Sequence, residues 1–154
     1  SERLSQILGV TVAEAKRIRE KFEKAIPALK NLKQAIAVKY RNQKWIYGLD
    51  KRKLMCRAEY SSLNTLIQSA GALLVKAGTI LLNQELTSAG LVWGKDYRMV
   101  LHVHDEMQFV VHKDKVEKFK KLASTIFEKT QKFFNFKCPL AGEIKVGQNW
   151  SATH

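Results

Sequence analysis

The sequence predicts an α+β fold in which long helices pack on a small antiparallel sheet. Three observations point to it. Apolar residues recur at helical spacing over long stretches, short β-rich runs come in pairs around turn residues, and only two prolines, Pro27 and Pro139, interrupt the 154 residues. With no Ser/Gly-rich stretch, repeat or low-complexity segment, the chain reads as a single unit over 1–154.

Thr11-Val12-Ala13-Glu14 fits a capping box, in which the threonine oxygen accepts from the amide three residues on, so a helix is expected to start there. Its apolar positions are Ile18, Phe22, Ala25 and Ile26, and Pro27, lacking a backbone donor, sets a boundary or kink. A second helical segment, Leu29 to Tyr40, follows on Leu29, Leu32, Ile36 and Tyr40. Lys44 to Leu54 reads as a hairpin, because Trp45, Ile46 and Tyr47 favour strands and Gly48-Leu49-Asp50-Lys51 supplies the turn. A long helix is expected from about Ser62 to Leu86, with serines as caps and Gly90 and Gly94 ending it. Tyr97 to Val103 and Met107 to Val111 form a second hairpin around His104-Asp105-Glu106, spanning 97–111. Val116, Phe119, Ala123, Ile126, Phe127 and Thr130 mark one continuous helix from Lys113 to Phe134, with lysines on its other face. Gly142 to Trp150 reads as a last short hairpin around Gly147.

The chain carries 27 Lys and Arg against 14 Asp and Glu, a net charge of +13. That excess points to a polyanionic partner, nucleic acid ahead of membrane, because no detached basic amphipathic tail is present. At 45% hydrophobic and 27% charged residues it is not a disordered tail. The longest apolar candidate, Leu73 to Leu82, is interrupted by Lys76 and falls short of the roughly 20 residues of a spanning helix, so no membrane partner is expected. Cys56 and Cys138 show no metal or redox spacing and read as buried thiols in a reducing cytosol. The start at Ser1, with neither Met nor an apolar signal region, suits a processed product or a piece of a longer chain.

Val103-His104-Asp105-Glu106 is the most informative local feature: two adjacent carboxylates beside an imidazole on a two-stranded support suit a divalent cation, though a polar turn would look the same. Successive strand side chains point to opposite faces, so one carboxylate is expected to ligate and the other to support. Asp50, Asp96 and Asp114 lie in apparent turns or helix starts, which leaves the site incomplete within these residues. His102 and His104 form an H-x-H pair that could hold zinc or manganese, without a third ligand at a familiar spacing. Asn64 and Gln68, four apart with Gly71 beyond, share one helix face. They are either a buried amide pair or donors to the acceptors that every base pair presents in the minor groove. Lys51, Arg52, Lys53 and Arg57 would contact phosphates, while the Phe and Trp positions fit core periodicity and predict no base-stacking platform.

These segments together, the Gly-Leu-Asp-Lys-Arg-Lys hairpin, Leu63-Asn64-Thr65-Leu66-Ile67-Gln68-Ser69-Ala70-Gly71-Ala72, Val103-His104-Asp105-Glu106 and Gly147-Gln148-Asn149-Trp150, resemble the C-terminal part of family A (Pol I-like) DNA polymerases, the phage replicative branch above all. The resemblance implies helical lower fingers over 1–43 and part of the palm over 44–154, with the 97–111 hairpin as motif C. It implies Asp105 as one of two catalytic metal-binding aspartates, Glu106 as the neighbouring active-site carboxylate and His104 as a contact to the primer terminus. It also implies Asn64 and Gln68 at the minor groove, and Arg52 and Arg57 in the basic segment near the duplex. Where cellular members often carry an arginine four residues before the helix asparagine, this chain has Tyr60. The implied cofactor is Mg²⁺ at a two-metal site, and the implied partners are a DNA primer-template, deoxynucleoside triphosphates and an upstream polymerase fragment bearing motifs A and B, in the cytoplasm of a phage-infected bacterium. Two other readings remain at the sequence level: a stand-alone basic DNA-binding module, and a metal-dependent hydrolase built on His102 and His104.

Overall fold

The structure is a computed structural model that describes residues 2–103 and 105–153. It is α+β, with helices and two separate two-stranded antiparallel sheets. Contacts divide it into two compact units, Ser1–Ser69 and Ala70–His154, a division that falls inside the longest helix.

In the first unit, α1 (Glu2–Leu8), which the sequence pattern did not signal, is closed by Gly9 at φ +64 and by Val10 N–H donating to Ser5 O. Thr11 caps α2 (Val12–Ala25) as expected, its Oγ1 accepting from Glu14 N–H at 3.2 Å. Pro27 opens α3 (Pro27–Gln43) at N1, where its missing donor costs nothing. Lys44, left-handed at φ 62, turns the chain into β1 (Trp45–Tyr47), which pairs with β2 (Lys53–Met55) in the register Trp45↔Met55, Ile46↔Leu54, Tyr47↔Lys53. Ile36, Ile46 and Cys56 form the core here, with Tyr40, Leu54, Leu63 and Leu66 packed around it. The apolar stripe of α2 is not part of that core: Ile18, Phe22 and Ile26 are all exposed.

The long helix α4 runs Glu59–Ser88, three residues earlier than Ser62. The serines lie inside its first turn, where Ser61 and Ser62 each donate a hydroxyl to Ala58 O at 2.9 Å. Gly90 at φ +78 stops it, and Leu91 N–H closes back on Leu86 O at 2.9 Å. By length and composition α4 could cross a membrane, a test that the run Leu73–Leu82 alone did not meet. Core helices of globular domains pass the same test, and α4 places Leu82 and Leu86, both fully buried, in the second unit, although only 11% of its most apolar stretch is buried.

That unit packs Leu82, Leu86, Leu91, Tyr97, Phe119, Ala123 and Ile126 together. Its sheet pairs β3 (Tyr97–Val103) with β4 (Glu106–Val111). The expected Lys113–Phe134 helix is broken into a 3₁₀ turn at Lys113–Lys115, α5 (Val116–Ser124) and α6 (Ile126–Phe133). The break has a local cause. Ser124 and Thr125 hydroxyls donate to the carbonyls of Lys121 and Leu122, and Thr125 N–H also turns to Leu122 O, replacing the α-helical pattern. The expected Gly142–Trp150 hairpin is absent; the segment is irregular up to a 3₁₀ turn at Trp150–Ala152 capped by Asn149. Its glycines serve close approach, because a Cβ at Gly142 would lie 2.0 Å from the Phe127 ring and one at Gly147 2.6 Å from the Ala152 methyl. Both cysteines are free; Cys56 is buried, but Cys138 is exposed, contrary to expectation.

Two substitutions test these packing arguments by denaturant unfolding. Leu86→Ala should cost about 2–5 kcal/mol. Gly142→Ala should cost about 1–3 kcal/mol, and less in a Phe127→Leu background that removes the clash.

Candidate functional site

The β3–β4 hairpin carries the acidic motif of the second unit. The register closes at Val103↔Glu106, so Asp105 lies in the turn and Glu106 belongs to β4. Glu106 accepts a hydrogen bond from Gln108 Nε2 along the same strand face. Asp105 stays in the turn, exposed, and no described side chain forms an ion pair with it. The separation expected between the two carboxylates is therefore built into the backbone. His104 lies outside the described residues.

A β-bulge at Val100 shifts the register between Met99 and Leu101. It changes which side chains share a face: Met99 pairs with Phe109 and His102 with Met107, so these four face one way although Met99 and His102 are three apart. Met107 on that face meets α4, its Sδ 2.9 Å from Thr79 Oγ1. Glu106, Gln108 and the exposed Val103, Leu101 and Val110 take the opposite face. Among the described residues no group of three His, Cys, Asp or Glu could hold a metal ion, so His102 has no described ligand set around it.

The other candidates stand on the first unit. Asn64 and Gln68 are exposed on α4, with Ile67 and Tyr60 also open to solvent, Tyr60 at 92%. The buried-amide alternative therefore fails, and the amides are free to meet a partner. The helix start that presents them is tied to α3 by a two-bonded ion pair, Arg41 Nε to Glu59 Oε2 and Nη2 to Oε1, both 2.7 Å. The Arg41 hydrogen bonds and charge hold the Glu59 carboxyl below the ordinary carboxylate range.

Arg52 and Arg57 are exposed, but Arg52 is already engaged, pairing with Asp50 across the turn. Desolvation works against the Asp50 charge, yet hydrogen bonds from the Arg52 side chain and amide bring its net pKa below the usual value. The lysines expected as a solvated face also do more: Lys118 Nζ donates to Ala89 O at the end of α4, and Lys129 pairs with Glu85 at 2.6 Å.

A sequence model of DNA polymerase family A matches residues 1–152. The chain belongs to DNA polymerase family A. The DNA-directed DNA polymerases of Enterobacteria phage T3 and Escherichia phage T7 are each 32% identical to it over 177 aligned residues, covering 99% of this chain and 24% of theirs. The thermostable DNA polymerase I of Thermus aquaticus is 25% identical over 97% of this chain and 18% of its own. The POL domain of Pol1 from M. smegmatis, solved in complex with DNA primer-template and dNTP, has the same fold, with a TM-score of 0.73 and 21% identity over 97% of this chain and 27% of that one. This family A chain thus spans about a quarter of the length of its phage relatives.

The sequence pattern missed the exposed side of the β1–β2 hairpin. Trp45 is expected in the core with the other tryptophans, yet strand alternation sends Ile46 inward and leaves Trp45 half-buried and Tyr47 exposed, a signal that the period-2 rule could have supplied. Because the folded-state pKa of Glu59 is lowered, its stabilising pair with Arg41 is fully present above the ordinary carboxylate range and is lost as pH falls through the lowered value. Glu59→Gln should therefore lower the melting temperature most near neutral pH and not at all in strong acid, where wild type and variant should melt together.

Proposed function

We propose that this chain supplies part of the active site of a template-directed DNA polymerase. Asp105 would be one of two metal-binding aspartates, Glu106 its supporting carboxylate, and an upstream polypeptide bearing motifs A and B would complete the site. The observation that carries this reading is the position of Asp105: an exposed carboxylate in the turn of the β3–β4 hairpin, within a chain matching the family over residues 1–152. Mg²⁺ is commonly held by one or two carboxylates plus substrate phosphates, so one such donor fits as a share of a site and not as a whole one. The chemistry that bound Mg²⁺ supplies is charge stabilisation at the attacking primer 3′-oxygen and the departing pyrophosphate.

The chain's own residues have simpler tasks. Asp105 holds a negative charge where two strands fix its backbone. Gln108, by donating to Glu106, holds that second carboxylate along β4 and away from the turn. Asn64 and Gln68 offer amide donors at minor-groove acceptors common to every base pair, so they test pairing geometry without reading sequence. Arg52 and Arg57, with part of the +13 net charge, contribute phosphate contacts that position the duplex. The M. smegmatis structure holds a primer-template and dNTP, and the same partners are proposed here. The phage relatives support a place of action in the cytoplasm of an infected bacterium.

The test mixes this chain with an upstream fragment bearing motifs A and B and measures Mg²⁺-dependent primer extension. Extension should require both pieces, and Asp105→Ala should reduce it about a hundredfold or more. Extension that survives Asp105→Ala sinks the assignment; DNA binding without extension under any pairing of fragments would favour a basic DNA-binding module instead.

A further inference from the structure

The outer face of the β1–β2 hairpin has no role in the polymerase reading above. Its register places Trp45, Tyr47, Lys53 and Met55 on one side, while Ile46 and Leu54 turn to the core. That outer side is open: Tyr47 is 51% exposed and Met55 72%. Trp45 and Tyr47 meet edge to face with centroids 4.8 Å apart, and Lys53 Nζ lies 4.7 Å from the centre of the Trp45 ring.

Charge identifies the occupant. Residues 44–57 carry five cations, Lys44, Lys51, Arg52, Lys53 and Arg57, against the single carboxylate of Asp50, which Arg52 already occupies. An apolar face built for a protein partner has charge depleted at its centre, whereas here Lys53 sits among the rings. The rings stand edge to face, so the exposed face of Tyr47 is the one open to a base, and aromatic rings interleaved with cations are the arrangement that holds unpaired bases by stacking and their phosphates by charge. A duplex keeps its base faces inside its own stack and cannot use the rings.

We propose that this hairpin face binds single-stranded DNA, with Tyr47 and Trp45 as the stacking surface and Lys53 and Lys51 as phosphate contacts. The inference rests on the nucleic-acid reading of the chain but needs neither Asp105 nor an assembled active site. The contact is tolerant of sequence, because every base has a π-face, and it weakens as salt rises.

Fluorescence anisotropy of the full 154-residue chain tests it. The probes are a labelled oligo-dT of about 12 nucleotides, within the span one such platform covers, and a blunt duplex. Tyr47→Ala should weaken oligo-dT binding about tenfold and leave duplex binding within about twofold, and Tyr47→Phe should bind oligo-dT as wild type does. In a chain with Trp93→Phe and Trp150→Phe, oligo-dT should quench the remaining Trp45 emission, a readout that stands if Tyr47→Ala fails to fold. Equal loss on both probes, no loss at all, an unquenched Trp45, or displacement of oligo-dT by the upstream fragment, which would mark the face as a protein contact, each overturns the proposal. Extension dependent on Asp105 is a separate readout, so either reading can fail alone.

Discussion

Burial along α4 is the constraint on which the other elements depend. One helix of 30 residues gives Leu63 and Leu66 to the core of the first unit and Leu82 and Leu86 to that of the second. Each core uses only one stripe of it, so the remaining faces carry exposed residues both polar, such as Asn64 and Gln68, and apolar, such as Ile67 and Ile80. Asn64 and Gln68 are exposed because the leucines beside them are not. Its ends are secured separately, by Glu59 with Arg41 and the serine hydroxyls at one end and by Gly90 and Lys118 at the other. Gly78 lets it approach α6 closely, since a Cβ there would lie 3.2 Å from the Thr130 hydroxyl.

The charge balance is uneven in a way that matters for a polyanion. Glu23, Asp50, Glu59, Glu85 and Glu128 are each taken by a lysine or arginine of this chain. Exposed pairs of this kind contribute little to stability, but they neutralise carboxylates that would otherwise add negative potential to the surface. Asp105 is not among them. The carboxylate at the hairpin tip is the kind that a cation could claim, while the surrounding surface keeps its positive excess.

Much of this fold was legible where a residue acts through its own backbone. Thr11 at a cap, Pro27 at a boundary, Gly90 after a helix and the Gly48–Lys51 turn all behave locally, and each stands where the pattern placed it. The chain was harder to read where a smooth periodicity hides a local break, or where a choice depends on distant neighbours. The apolar stripe from Val116 to Thr130 is continuous in sequence, yet hydroxyl competition at Ser124 and Thr125 splits it without disturbing the buried face. Gly142 and Gly147 look like turn residues and instead admit Phe127 and Ala152, partners that no local pattern names. At the site, the hairpin and the exposed acid at its tip were legible from composition. The different placement of Asp105 and Glu106 follows from which of them joins the strand ladder, and the facing of His102 follows from the bulge.

That bulge at Val100 sets the parity of the hairpin. Counted from the root, Tyr97 and Met99 obey one alternation; counted from the tip, His102 obeys the other, and the extra residue reconciles them. The root is committed to the core through Tyr97, which donates to Asn83 on α4 and lies against Phe119. Nearer the tip, Met107 touches α4 through Thr79. A one-residue change at position 100 is thus the point at which the acidic turn can be rotated relative to the body of its unit while the core contacts of the root stay in place.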